Sequence, residues 1–234
     1  MSDDKKLITR REALKKIGGV TAGSLLGGMA LFNSTGLKSG NSKVLASSGT
    51  DEFPWPYTEV DPERVRKLGH EGHYLGNCGS GAFYGVLAAL EERVGEPFSS
   101  FQINPPNMLH FGGGGMAGAG LTCGTLIGAS AAVNLVAEPD KANEIVSELI
   151  SWYKETPFPS DESNEYAQNH EFLVDDYHSD EELATTVADS ALCQDSIMAW
   201  LDESGASHGS DEQLERCARL TGDVAAKAVE LLNS

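Results

Sequence analysis

An all-α fold is predicted for most of this 234-residue chain by three observations. Apolar residues recur at helical spacing in several separate stretches, Asp-Pro-Glu and Glu-Pro-Asp triplets mark helix starts, and no stretch alternates over a useful length as a half-buried strand would. The expected architecture is a single helical domain of about five or six helices with a glycine-rich loop, after an N-terminal export signal. The length suffices for one substantial core.

Residues 1–46 form the expected signal segment. Arg10-Arg11 precede a mildly apolar run from Ile17 to Phe32, too short and too weakly apolar for a membrane span, and this pairing is the pattern of twin-arginine export. Val44-Leu45-Ala46 offers a small-residue cleavage site, and an uncleaved anchor stays open as the other outcome. The twin-arginine translocase is then a partner during export, and the destination is the periplasm or the outer face of the cytoplasmic membrane. Residues 47–60 should be an extended lead-in, followed by a helical cysteine-bearing domain over 61–234.

Asp61-Pro62-Glu63 opens the first helix, which should end near Leu68. His70 and His73 follow; a metal pair is conceivable, but surface or capping roles fit better because no matching ligand lies nearby in sequence. Gly76-Asn77-Cys78-Gly79 leads into a helix over Ala82–Val94 that Gly95-Glu96-Pro97 stops. A polar, proline-containing loop over Ser99–Asn107 leads to Phe111 and four consecutive glycines. From Leu121 to Val136 only small, apolar and uncharged polar residues occur, so a helix should carry Cys123 in its first turn, where its dipole favours a thiolate. Glu138-Pro139-Asp140 starts the next helix. Residues 156–178 should be an acidic loop without a site, and helices over about Asp180–Asp202 and Asp211–Asn233 should turn Cys193 and Cys217 inward.

Charge narrows the function classes. Of 17 basic and 35 acidic groups, the first 46 residues hold eight and three, leaving nine against 32, or −23, for the remainder. Such a surface repels phosphate backbones, so nucleic acid is excluded as a partner, and so is docking on anionic lipid. A high-salt setting and an ordinary acidic exported protein both fit. No Ser/His/Asp arrangement, phosphate loop with lysine or metalloprotease motif supports hydrolysis.

Cys78, Cys123, Cys193 and Cys217 stand one to a helical element, with no Cys-x-x-Cys pair. Spacing leaves three readings: two disulfides, four inert buried thiols, or a four-thiolate metal or iron-sulfur site built by the fold. The glycine-flanked helix starts at Cys78 and Cys123 favour the last, because thiolates are stabilised there and backbone can approach a cluster closely.

Gly76-Asn77-Cys78 with Gly81-Ala82-Phe83, the four glycines after Phe111, Thr122-Cys123-Gly124 with Gly128-Ala129, Cys193, and Glu215-Arg216-Cys217-Ala218-Arg219 together resemble the redox proteins named for their C-GCAxxG-C-C pattern. Within that group the chain looks most like the split-Soret cytochrome c branch. The likeness covers about Gly69–Asn233. It implies a helical homodimer that holds non-haem iron or an iron-sulfur cluster, 2Fe-2S or 4Fe-4S, through Cys78, Cys123, Cys193 and Cys217, and passes electrons to a redox partner of unknown identity. Amides at Gly79, Gly120 and Gly124 would donate to the sulfurs, and Arg216 and Arg219 would offset negative charge unless they pair with surface acids such as Glu215. Two departures stand out. No cysteine here belongs to a Cys-x-x-Cys-His site, so covalent haem c is excluded, and Ser80-Gly81-Ala82 carries glycine where GCAxxG has a cysteine. The rival reading is a disulfide-stabilised exported binding domain. A weaker one is non-covalent haem on His73 or His110.

Overall fold

A computed structural model describes residues 53–99 and 107–234, all within the compact unit Ser47–Ser234. The twin-arginine segment lies outside the described residues. Among them are seven helices: α1 (Pro62–Leu75), α2 (Cys78–Val94), α3 (Gly124–Val136), α4 (Pro139–Glu155), α5 (Asp161–Gln168), α6 (Cys193–Ser204) and α7 (Asp211–Leu232). A 3-10 turn spans Asn107–Gly112, and two two-residue strands, β1 (Pro157–Phe158) and β2 (Thr186–Val187), pair antiparallel. None of the described helices is long and apolar enough to cross a membrane.

Asp61 caps α1 by accepting from Glu63 N at 3.0 Å, with Pro62 in the first turn. The helix then passes the expected end at Leu68 and runs to Leu75. Gly69 and Gly72, poor helix formers, are tolerated because they are contact points. A Cβ on Gly85 would lie 2.7 Å from Gly69 N, and one on Gly81 would lie 2.5 Å from His73 N, so α1 and α2 meet backbone to backbone. Gly81 is therefore a packing residue with no room for the thiol of the family pattern. On its other side Gly69 meets Gly222 of α7. Val65, Leu68, Phe83, Val86, Leu87, Val224, Ala225 and Ala228 fill the core between these three helices.

The small-residue helix α3 lies equally close to α2: a Cβ on Gly128 would overlap the Gly79 carbonyl. Amphipathic α4 covers α3 and α7 with Ala142, Ile145, Leu149 and Tyr153. Beneath the acidic surface the core is thus a stack of close-approach helices, and it holds the first residues of α2 and α3 near α7.

Two expected elements change. Residues 156–178 are not one loop, since β1 and α5 lie there. Ser160 caps α5, Asp161 and Glu162 occupy its first turn where acids complement the dipole, and Ser160 and Ser163 hydroxyls both donate to Asp223 Oδ1 at 2.6 Å. Conversely, the helix expected from Asp180 begins only at Cys193. Carbonyls before it serve distant donors instead of a helical ladder: Arg219 binds those of Ser179 and Glu181 at 2.7 and 2.9 Å, Asn164 that of Leu183, and Trp200 Nε1 that of Ala184.

Candidate metal centre

The fold brings the four cysteines together as free, buried thiols, so neither of the disulfides of the rival reading is present. Cys78 opens α2, whose cap Asn77 accepts from the amides of Gly79 and Ser80. Cys193 opens α6. Cys123 is the N-cap residue of α3, one place earlier than expected, and its thiol lies 3.2 Å from Thr125 Oγ1. The short bridge between Thr122 and Leu192 ties these two starts together, with Cys123 N donating to Ala191 O at 2.9 Å and Cys193 N to Leu121 O at 2.6 Å. Cys217 comes from the second turn of α7.

Proximity is visible in how the thiols perturb one another. Cys78 donates to the Cys217 sulfur. That bond, with Arg216 helping against the effect of burial, lowers Cys217 to about 6. The same bond raises Cys78, to which burial and the charges of Cys217, Cys123 and Cys193 add. Burial pushes Cys193 up to about 12, reinforced by Cys123 and Cys217 and offset in part by Arg216. Of the Cys78–Cys217 pair, Cys217 is the sulfur whose thiolate is favoured, and it lies next to the Arg216 guanidinium.

Arg216 is 1% exposed and donates to Ser196 Oγ at 2.7 Å, yet its Nε has no partner and it makes no ion pair with a carboxylate among the described residues. Tyr153 Oη is buried between Cys123 and Ser196, with no closely aligned hydrogen-bond partner. Unsatisfied buried donors are costly, so the Arg216 Nε–H beside the thiols implies an acceptor that sulfur or a bound anionic group supplies. The residues present thus fit a negatively charged metal centre. Among the described residues no three Cys, His, Asp or Glu side chains surround a single point as ligands of one ion, so the thiols are gathered without forming a one-ion shell.

A cavity of about 670 Å³ opens beside this group. Cys78, Cys193 and Cys217 line it, as do His73, His178 and His208, whereas Cys123 lies behind. The glycines act by shape. The amides of Gly79 and Gly120 donate to Asn77 Oδ1 and Gly114 O, both at 3.0 Å, and so do not serve as sulfur donors; Gly120 lines the cavity. At Gly124 a Cβ would overlap the Gly112 carbonyl and come within 3.0 Å of Cys78 Cβ. Gly115, at φ 67°, leaves no room for a side chain against Cys193.

Neither histidine of α1 is a surface residue. His70 is fully buried, stacked on Phe172 with ring centroids 3.7 Å apart, and bonded through Nε2 to Glu215 Oε1 at 2.9 Å. Burial lowers His73 to about 3 and leaves its Nδ1 without a partner. Glu215 is no surface acid either: it is fully buried and accepts from Tyr74 and from Arg219 Nε at 3.0 Å. Although burial works against it, His70, Tyr74 and Arg219 hold Glu215 down at about 2. Burial also keeps His70 neutral, so the charge that balances Glu215 is that of Arg219. The two arginines therefore divide, Arg219 to Glu215 and Arg216 to the thiols. His110 stands exposed, its Nδ1 3.1 Å from Asn77 Nδ2, outside the cavity wall.

The family described as "Putative redox-active protein (C_GCAxxG_C_C)" matches residues 76–231, which include all four cysteines. Split-Soret cytochrome c of Desulfovibrio desulfuricans (strain ATCC 27774) is 31% identical over 233 residues, covering 97% of this chain and 78% of that protein. A solved structure reported as a novel iron centre in the same cytochrome superposes with a TM-score of 0.66 at 32% identity, covering 76% of this chain and 70% of that one. With its matching span, its helical fold and its four gathered cysteines, the chain belongs to the C_GCAxxG_C_C family of redox-active proteins.

Proposed function

We propose that this chain is an electron-transfer protein that holds non-haem iron, in an iron-sulfur cluster, through Cys78, Cys123, Cys193 and Cys217. The observation that carries this reading is the set of four free, buried thiols with Arg216 beside Cys217 and Cys193, a buried cation with no carboxylate to balance it among the described residues. The iron centre named for the split-Soret relative supports iron as the metal. Bound there, iron would supply one-electron chemistry. The chain's own part is to hold the sulfurs, to offset their charge with Arg216, and to exclude water from the Cys123 side, where the thiol is 3% exposed.

Anaerobic purification, followed by iron, acid-labile sulfide and the visible spectrum per chain, tests the reading. Two to four irons with matching sulfide are expected, on the order of a common cluster. Cys123→Ser and Cys217→Ser should lose the chromophore. Iron and sulfide near zero in the anaerobic protein, or a full spectrum in either variant, would overturn the assignment.

Export and assembly complete the proposal. Arg10-Arg11 motivate twin-arginine transport of the folded, metal-loaded chain to the periplasm or the outer face of the membrane, and replacing both with lysine should retain it in the cytoplasm. The family likeness motivates a homodimer, which sedimentation of the mature chain checks; a monomer at all concentrations would refute it.

A further inference from the structure

Cys123 is set apart from the other three cysteines. They line the cavity, whereas Cys123 lies behind it, 3% exposed, where only the protein can supply hydrogen bonds to its sulfur. One hydroxyl is already there, since Thr125 Oγ1 lies 3.2 Å from Cys123 Sγ. A second reaches the same sulfur from α4. That helix buries Ala142, Ile145, Leu149 and Tyr153, and the Tyr153 hydroxyl is the single polar side-chain atom on the buried face.

Space alone does not account for a tyrosine at this place. Tyr153 is 0% exposed and its ring packs on Phe158 with centroids 5.2 Å apart, an arrangement that phenylalanine would fill equally well. A buried hydroxyl costs stability unless it finds a partner. Tyr153 Oη lies between Cys123 and Ser196 and is closely aligned with neither. Ser196 is 1% exposed, and its Oγ accepts from Arg216 Nη2 at 2.7 Å, which leaves the serine hydrogen for the Tyr153 oxygen. The phenol hydrogen is then left for Cys123, and a phenol, ionising at about 10, keeps that hydrogen at neutral pH. A neutral thiol is a weak acceptor, so little draws the hydroxyl into line. A thiolate that ligates iron is a strong one.

We infer that Arg216, Ser196 and Tyr153 form a donor chain that ends on the Cys123 sulfur and raises the reduction potential of the iron centre, with Tyr153 as the residue that touches the ligand. The inference rests on the iron reading above and deepens it. Every bond in the chain points the same way, from guanidinium to serine to phenol to sulfur, so each donor is polarised by the one before it. Reduction adds negative charge to the sulfurs, and a donor there stabilises the reduced form more than the oxidised one. Arg216, already beside Cys217 and Cys193, thereby acts on Cys123 as well.

The test uses the mature, iron-loaded protein, its iron and sulfide measured before its midpoint potential is read by dithionite titration. Tyr153→Phe should keep the iron content and lower the midpoint. A ring-fluorinated tyrosine in place of Tyr153 alone is a stronger donor of nearly the same shape and should raise it. Ser196→Ala should lower it by less, and most of that shift should vanish in the Tyr153→Phe background, because the phenol that transmits it is gone. Full iron with a midpoint that neither change at Tyr153 moves would overturn the inference and leave the iron assignment intact. Shifts of Tyr153→Phe and Ser196→Ala that simply add would overturn the chain. Should Tyr153→Phe fail to hold iron, the fluorinated protein decides by the same criterion, since its shape is kept. A parent protein without iron would bring down the inference together with the iron reading.

Discussion

Helix α7 carries two buried arginines three residues apart, and their surroundings differ in kind. Arg219 is saturated: its guanidinium meets Glu215, Asn164 Oδ1 at 2.6 Å and two backbone carbonyls, and Glu215 in turn is bonded to His70 and Tyr74. Arg216 keeps an unpartnered Nε and faces thiols. A network of this type fixes structure, because its guanidinium and its carboxylate are both satisfied inside the protein and only His70 Nδ1 is left without a partner. An open one is left for something else to complete. A second closed network, in which Arg66 pairs with Asp223 while Ser160 and Ser163 donate to the same carboxylate, reinforces the contrast.

The largest effect expected from this contrast is on stability. Arg219→Met strands the Glu215 carboxylate, which is 0% exposed, and should cost roughly 3–5 kcal/mol in denaturant unfolding of the iron-free protein. A loss under about 1 kcal/mol would mean that the network is not closed. The same region sets the acid response. His73 is lowered to about 3 from its ordinary 6.5, so between those values the unfolded chain binds a proton that the folded one refuses, and stability falls as pH drops through that window. Glu215, lowered to about 2 from 4.5, contributes stability that is present above 4.5 and lost as pH falls toward 2. Stability of the iron-free protein against pH should therefore decline in two overlapping limbs, the upper shared by His73 and by His70, which burial also lowers, and His73→Gln should reduce the upper limb and leave the lower one.

An intermediate effect belongs to the glycine contacts that bring the helix starts together. Gly128→Ala places a Cβ on the Gly79 carbonyl, and α2 and α3 must separate to admit it, at a cost of about 1–3 kcal/mol. Because Gly79 follows Cys78, iron content should fall along with the melting temperature. A variant as stable as the parent would show that this approach is looser than drawn.

Much of this was legible in the sequence and some was not, for identifiable reasons. Helices that bury one apolar face, such as α4 with Ala142, Ile145, Leu149 and Tyr153, announce themselves by period. The four cysteines were legible as a group only through the family likeness, since 45, 70 and 24 residues separate them and no local rule joins them. Acidic stretches misled in both directions. Asp161 and Glu162 looked like a solvated loop but begin α5, and the region after Asp180 looked helical although Arg219, Asn164 and Trp200 take its carbonyls. The burial of His70 and Glu215 was invisible, because their 145-residue separation hides a 2.9 Å bond. Even so, 97–137 contains no charged residue in a chain that is 22% charged, and this signal could have marked the wall of the cavity.

The smallest expected change in stability tests the open side. Arg216→Met removes a buried cation, but the group left behind is a thiol that takes up a proton when its cation goes, so no stranded charge remains. Unfolding of the iron-free protein at neutral pH should therefore move by about 1 kcal/mol or less, in either direction. The consequence appears in chemistry instead. Cys217 owes its value near 6 first to the Cys78 hydrogen bond and then to Arg216, so the pH midpoint for its alkylation should rise in the variant but stay below that of an isolated thiol. If stability collapsed as it should for Arg219→Met, Arg216 would belong to the closed framework after all. If the midpoint stayed at about 6, its charge would not reach the sulfur, and the contrast between the two arginines would fail at its centre.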